Sequence, residues 1–197
     1  MIVLASASPR RREILTTLGL TFEIDVANVD ESVLSGESAP AYVQRVASSK
    51  ARTVASRRTG SVILAADTTV VVDGAILGKP EDDDDARRML ALLSGRAHEV
   101  LTAIAIETTK DRAPRSLARV VRTEVVFRAL DRGAIDRYLA SGEHRDKAGA
   151  YGIQGLAMAL VREIRGSYTN VVGLPAAETI DLLVESGALA SWPVAKA

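Results

Sequence analysis

The chain has 197 residues, with 25 basic and 25 acidic side chains and no formal net charge at neutral pH. That balance argues against a general nucleic-acid or anionic-membrane surface, which needs a basic excess, and makes any anion site a local one. Cysteine is absent, and His98 and His144 stand in no metal-ligand spacing, so disulfides, thiol catalysis and a zinc hydrolase are disfavoured.

Hydrophobic residues make up 47%, enough to bury a core in one substantial domain or two lobes. An aromatic content of 4% leaves few platforms for stacking bases. The first residues carry their apolar stretch before their arginines, the reverse of a secretory signal, and no apolar run approaches membrane-spanning length. A cytoplasmic protein with no membrane or nucleic-acid partner is expected.

Ile2 to Ala5 is a short apolar run that reads as a buried strand. Ser8 then suits an N-cap, and Pro9 the first helical position, where its missing N–H costs nothing. Ile14, Leu15 and Leu18 share a helical face, and Gly19 ends it. Into this helix start the chain places Arg10, Arg11 and Arg12. Cations at the positive end of a helix dipole are unfavourable alone. With Ser6, Ser8 and free backbone N–H groups beside them, they suit a bound anion, most naturally phosphate. The plainer account has the serines capping and the arginines in water, and this turn alone does not separate the two.

Phe22 to Val26 predicts a second strand, and 28–38 a polar turn carrying Asp30 and Glu31. Pro40 to Ala55 predicts a helix with Lys50 near its middle. Val62 to Ala66 predicts a buried strand ending at Asp67-Thr68-Thr69. Val70 to Val72 and Ala75 to Leu77 flank Asp73-Gly74, which fits a type I′ hairpin turn. Glu81 to Asp85 opens a helix through Leu93, and its acids complement the dipole better than they make a metal cluster.

His98 to Ile106 and Val120 to Phe127 predict an antiparallel pair around a polar segment, Thr108 to Pro114. Asp131 to Leu139 reads as a helix, and Ser141 to Gly155 as a long glycine-rich loop of the kind that often carries function. Met158 to Ile164 predicts a strand, Gly166 to Gly173 a loop, Leu174 to Glu185 the last helix, and Ser191 to Ala197 a disordered tail. Helix-separated strands together with hairpins predict an α/β or α+β sheet covered by helices.

Asp67 is placed at the end of a buried strand, where ligands collect in open α/β sheets. A carboxylate there holds a divalent cation, acts as a base toward water, or caps its own turn. Lys79, between a hairpin and Pro80, either neutralises phosphate or is a solvated turn lysine. Gln154 has an amide that can pair with the edge of a base. Lys50 and Glu31 have no claim by themselves. The phosphate-loop, dinucleotide-binding and nucleophile-elbow signatures are missing from the sequence.

Six blocks then occur in order: L-A-S-A-S-P-R-R from Leu4, A-D-T-T-V-V-V from Ala66, L-G-K-P from Leu77, S-G-R-A-H from Ser94, D-K-A-G-A-Y-G-I-Q-G from Asp146 and G-S-Y-T-N-V-V-G-L-P from Gly166. Together they resemble the Maf family of nucleoside triphosphate pyrophosphatases, from Leu4 to about Leu183. The resemblance implies an elongated mixed α/β sheet flanked by helices, similar to inosine triphosphate pyrophosphatases, with two lobes and a cleft between them. It implies a single Maf-like domain over 1–190, followed by the tail.

It further implies metal-dependent hydrolysis of a nucleoside triphosphate to the monophosphate and pyrophosphate. Ser8 and Arg11 match the family's phosphate-binding turn. Glu31, Lys50 and Lys79 match polar cleft residues, and Asp67 the proton acceptor. Arg10, Thr68 and Gln154 match the specificity positions of the branch that acts on dTTP and UTP. A magnesium or manganese ion, held by Glu31 or Asp67 and phosphate oxygens, is the implied cofactor, and a homodimer is an open expectation. Arg12 is an extra cation with no assigned role. The competing reading is a nucleotide-binding regulator of septum formation with little turnover.

Overall fold

The computed structural model describes residues 1–109 and 115–193. Its first turn forms as the residue types require. β1 (Ile2–Leu4) is buried throughout. α1 (Pro9–Thr17) starts at a proline, and the Ser8 hydroxyl accepts the Arg11 backbone N–H at 3.4 Å. β2 (Phe22–Ile24) runs parallel to β1, and α2 (Ala39–Ala55) buries Val43, Val46, Ala47 and Val54.

β3 (Val62–Val72) also pairs parallel with β1, setting Ile2 opposite Val62. It does not stop at Asp67. The strand runs on through Thr68 and Thr69, β-branched residues that suit a pleated ladder, and Thr69 is only 2% exposed. Asp67 therefore sits in mid-strand, which corrects the expected strand end. Asp73 and Gly74 then take φ of 50° and 78°, the two positive angles of a type I′ turn, and lead into antiparallel β4 (Ala75–Leu77).

α3 (Asp83–Leu93) is capped by Asp82, whose carboxylate accepts the Asp85 N–H at 2.8 Å. β5 (Ala97–Thr108) and β6 (Ser116–Phe127) are neighbours in the sheet. Phe127 pairs with Arg96 and Thr108 with Arg115, so the pair is antiparallel as expected. Residues 110–114 of the expected polar segment lie outside the described residues. α4 (Arg132–Ala140) is capped by Asp131.

Two expectations fail in the last third. A short 3-10 turn (Leu156–Ala159) precedes β7 (Val161–Arg165), so the strand starts later than Met158. The expected loop from Gly166 to Gly173 contains α5 (Tyr168–Val172). Its start is held by Ser167, whose hydroxyl accepts the Asn170 N–H at 3.2 Å. Hydroxyl caps and short helices of this kind leave no apolar period to read. α6 (Ala176–Glu185) closes the regular structure. Ser191 to Pro193 of the expected tail are placed, and the Trp192 indole donates to the Leu18 carbonyl at 3.1 Å. Residues 194–197 lie outside the described residues.

The seven-stranded sheet has the order β2-β1-β3-β5-β6-β7, with β4 on β3. Helices flank it, so the architecture is the expected mixed α/β one. The chain divides into two compact units, one comprising 1–67, 102–121 and 173–197 and the other 68–101 and 122–172. The boundary in β3 falls between Asp67 and Thr68. In the first unit, Leu4, Leu15, Leu64, Ile104, Ile106 and Leu183 form a fully buried core. Among the described residues no helix is long and apolar enough to cross a membrane.

In the second unit, His98, Phe127 and Tyr151 make three edge-to-face ring contacts at 4.8–5.5 Å. His98 Nε2 and the Tyr151 hydroxyl lie 2.8 Å apart, and burial pushes the imidazole down to about 4. The loop after α4 passes close to β3. A Cβ on Gly149, whose φ is +67°, would come within 2.9 Å of Val70, and the Gly149 N–H bonds the Gly78 carbonyl at 3.0 Å. Only glycine fits that approach. Gly149→Ala is expected to destabilise the protein by about 1–3 kcal/mol, read as a lower urea midpoint with an unchanged slope.

Candidate active site

Three of the expected residues meet in the first unit. Lys50 projects from α2 and Asp67 from β3, and the Lys50 ammonium lies 2.7 Å from Asp67 Oδ1. The same ammonium lies 2.8 Å from Glu31 Oε1, in the loop before α2. The side chains of Lys50 and Asp67 are 10% and 8% exposed, whereas that of Glu31 is 45% exposed. The result is a carboxylate pair bridged by one buried cation and open on the Glu31 side.

The electrostatics of Asp67 are a contest. Burial raises its carboxyl above the ordinary 3.8, and Glu31 adds to the rise, while Lys50 and Arg11 pull it down. Burial wins. A carboxylate held above its usual range, next to a cation that still favours its ionised form, suits proton transfer.

Arg11 serves the same corner from α1. Its Nε donates to the Gly173 carbonyl at 2.8 Å, and its Nη1 donates to the Ala66 carbonyl at 2.8 Å and the Ser6 hydroxyl at 3.1 Å. The guanidinium thus fastens the helix start to β3 at the residue before Asp67. Ser8, expected to meet phosphate, caps the helix, with its own N–H on Ser6 Oγ at 3.2 Å. Arg10 is half-buried on the first turn of α1, and burial lowers its pKa.

The remaining expected residues belong to the second unit. Thr68 follows Asp67 in β3, Lys79 is exposed beyond β4, and Gln154 is half-buried in the turn before 156–159. Three side chains that reasoning from sequence missed are Glu37, Tyr42 and Arg45. They bind the backbone of the Glu31 loop, and such contacts have no motif.

Glu31 and Asp67, each within 2.8 Å of the Lys50 ammonium, are hard oxygen donors. Among the described residues no group of three or more His, Asp or Glu converges as a metal cage. Carboxylate oxygens of this kind are the donor type that a magnesium- or manganese-sized ion takes one or two of, beside water and phosphate oxygens.

A parallel βαβ start, a buried acid and base pair, and an arginine-braced helix N-terminus define an α/β protein with a built polar site. The model of the Maf family, described as Maf-like protein, matches residues 1–186, and the chain belongs to that family. It is 54% identical over 191 residues to a dTTP/UTP pyrophosphatase of Anaeromyxobacter dehalogenans, covering 97% of this chain and 96% of that one. It is 52% identical to a protein of the same name in Chromobacterium violaceum, covering 94% of each. A Ham1 protein of Staphylococcus aureus overlaps 64% of this chain and 71% of its own at 14% identity and a TM-score of 0.44, too slight a likeness to carry an argument.

Because its folded value is raised, Asp67 favours the fold most when protonated, and this contribution is lost as pH rises through that value. Asp67→Asn does not titrate. The wild type is therefore expected to gain thermal stability relative to Asp67→Asn as pH falls from 7 toward 3.8, in paired melts across that range.

Proposed function

We propose that this chain is a nucleoside triphosphate pyrophosphatase acting on dTTP and UTP, cleaving the bond between the α- and β-phosphates to give the monophosphate and pyrophosphate. The observation that carries the proposal is the Lys50–Asp67–Glu31 cluster, with Asp67 raised by burial and faced by a cation. The names of relatives at about half identity support the substrate class.

Asp67 takes a proton from a water positioned for in-line attack on the α-phosphorus. Lys50 keeps Asp67 in its ionised, accepting form and offers positive charge to the developing oxyanion. Ser8, Arg10 and Arg11, with the N-terminal N–H groups of α1, are the groups of the first unit assigned to the triphosphate charge. Glu31 and Asp67 are the residues that would hold a magnesium or manganese ion, Glu31 taking the larger share because Asp67 handles the proton. Such an ion, when bound, supplies Lewis-acid polarisation of the phosphoryl oxygens. Base choice is assigned by the family resemblance to Thr68 and Gln154, both of the second unit, with no placement relative to the first-unit cluster. A glutamine amide matches the O4 and N3 edge shared by thymine and uracil, and a mispaired edge leaves a buried polar group unsatisfied. No observation favours a regulator without turnover.

Turnover of dTTP or UTP in 18O-labelled water tests the bond cleaved. The label is expected in the monophosphate, and label in pyrophosphate would rule out attack at the α-phosphorus. Asp67→Asn is expected to lose about 10²- to 10⁴-fold in kcat while remaining folded by circular dichroism. Retained turnover would remove Asp67 from its role.

A further inference from the structure

Glu31 is the one member of the charged cluster that no regular element supports. It lies in the segment between β2 and α2, and nearly half of its side chain is exposed. A loop carboxylate of this kind samples many positions unless its backbone is tied down.

The backbone around it is tied down, within the loop by the Ser32 N–H on Asp30 Oδ1 at 2.8 Å and from α2 by two side chains. The Tyr42 hydroxyl donates to the Glu31 carbonyl at 3.0 Å. The Arg45 Nη2 donates to the next carbonyl, Ser32, at 2.8 Å. Arg45 is itself fixed by a two-pronged pair with Glu37, Nε to Oε1 at 2.6 Å and Nη2 to Oε2 at 2.8 Å. Glu37 Oε2 in turn accepts the Leu34 N–H at 3.1 Å, so the loop's far limb is held by the same carboxylate. The Arg45 guanidinium also lies 5.7 Å from the centre of the Tyr42 ring, which links the two anchors.

Spacing explains why one helix supplies both side chains. Tyr42 and Arg45 are three apart, so they are neighbours on the surface of α2, and Lys50 follows on the next turns of the same helix. Lys50 holds the Glu31 carboxylate at 2.8 Å, while Tyr42 and Arg45 hold its backbone. Forked, charge-assisted bonding of this sort fixes geometry better than a single contact.

We infer that Tyr42 and Arg45 are positioning residues of the active site, which hold Glu31 at Lys50 and Asp67 by clamping the two consecutive carbonyls of Glu31 and Ser32. The inference rests on the pyrophosphatase reading for its kinetic consequence, but not for the clamp. Neither residue touches substrate in this account. Each acts through Glu31.

The test compares wild type, Arg45→Met, Tyr42→Phe, Glu31→Gln and the double variants with Glu31→Gln. Two readouts are taken: amide hydrogen exchange and kcat/KM for pyrophosphate release from dTTP. In Arg45→Met, exchange over residues 30–37 is expected to rise severalfold while exchange in α3 and β6 stays unchanged, the mark of local rather than global loosening. The kcat/KM is expected to fall about tenfold in Arg45→Met, less in Tyr42→Phe, and to fall by less than about twofold when either change is added to Glu31→Gln.

Arg45→Lys, which keeps the charge but not the fork, is expected to fall between wild type and Arg45→Met. Unchanged exchange over 30–37, or losses that multiply with that of Glu31→Gln, would overturn the inference. A wild type that releases no pyrophosphate from any nucleotide would overturn the pyrophosphatase reading instead, and the exchange data alone would then judge the clamp.

Discussion

The buried Lys50–Asp67 ion pair is the constraint on which the rest of the site depends. Two opposite charges 2.7 Å apart, both nearly removed from water, are costly to assemble and costlier to break singly. Removing one partner leaves an uncompensated buried charge, at about 3–5 kcal/mol. Such a pair contributes little net stability compared with apolar packing of the same size. Its presence is better explained by what it does to Asp67: burial raises the carboxyl, and the ammonium restores its ability to ionise.

Much of the surrounding structure serves that pair. β3 brings Asp67 in at the end of a run buried from Val62 onward, and α2 brings Lys50 from a face otherwise filled by valine and alanine. Arg11 locks the start of α1 to β3 through the Ala66 carbonyl, one residue before Asp67. Glu31 adds the exposed carboxylate, held by Lys50 at its head and by Tyr42 and Arg45 at its backbone. The cluster thus has a buried side at Asp67 and Lys50 and an exposed side at Glu31.

Local chemistry made most elements legible in the sequence. Ser8-Pro9 marks a helix start and Asp73-Gly74 a hairpin, because each residue satisfies a backbone need that few others can. The continuation of β3 through Asp67 was not legible, since an acid followed by two threonines also reads as a turn. α5 was hidden for a similar reason, being one short helix opened by a serine and lying between two glycines. Of the clustered residues, Asp67 was legible within an ordered block, whereas Glu31 and Lys50 lie outside every block and came only from the family resemblance. Glu31, Lys50 and Asp67 lie far apart in the chain, and only the fold places them on one ammonium. The Tyr42 and Arg45 contacts run from side chain to backbone, so nothing in the residue types announces their targets.

The central claim is that Lys50 sets the ionisation of Asp67, and that this ionisation governs catalysis. The acid limb of the pH dependence of kcat/KM tests it most directly, measured for the wild type and for Lys50→Met, which keeps the length of the side chain but not its charge. In the wild type the limb is expected above the ordinary carboxylate value of 3.8, because burial raises Asp67. In Lys50→Met it is expected to move to higher pH, because the main opposing charge is gone. An acid limb at the same pH in both proteins would contradict the account.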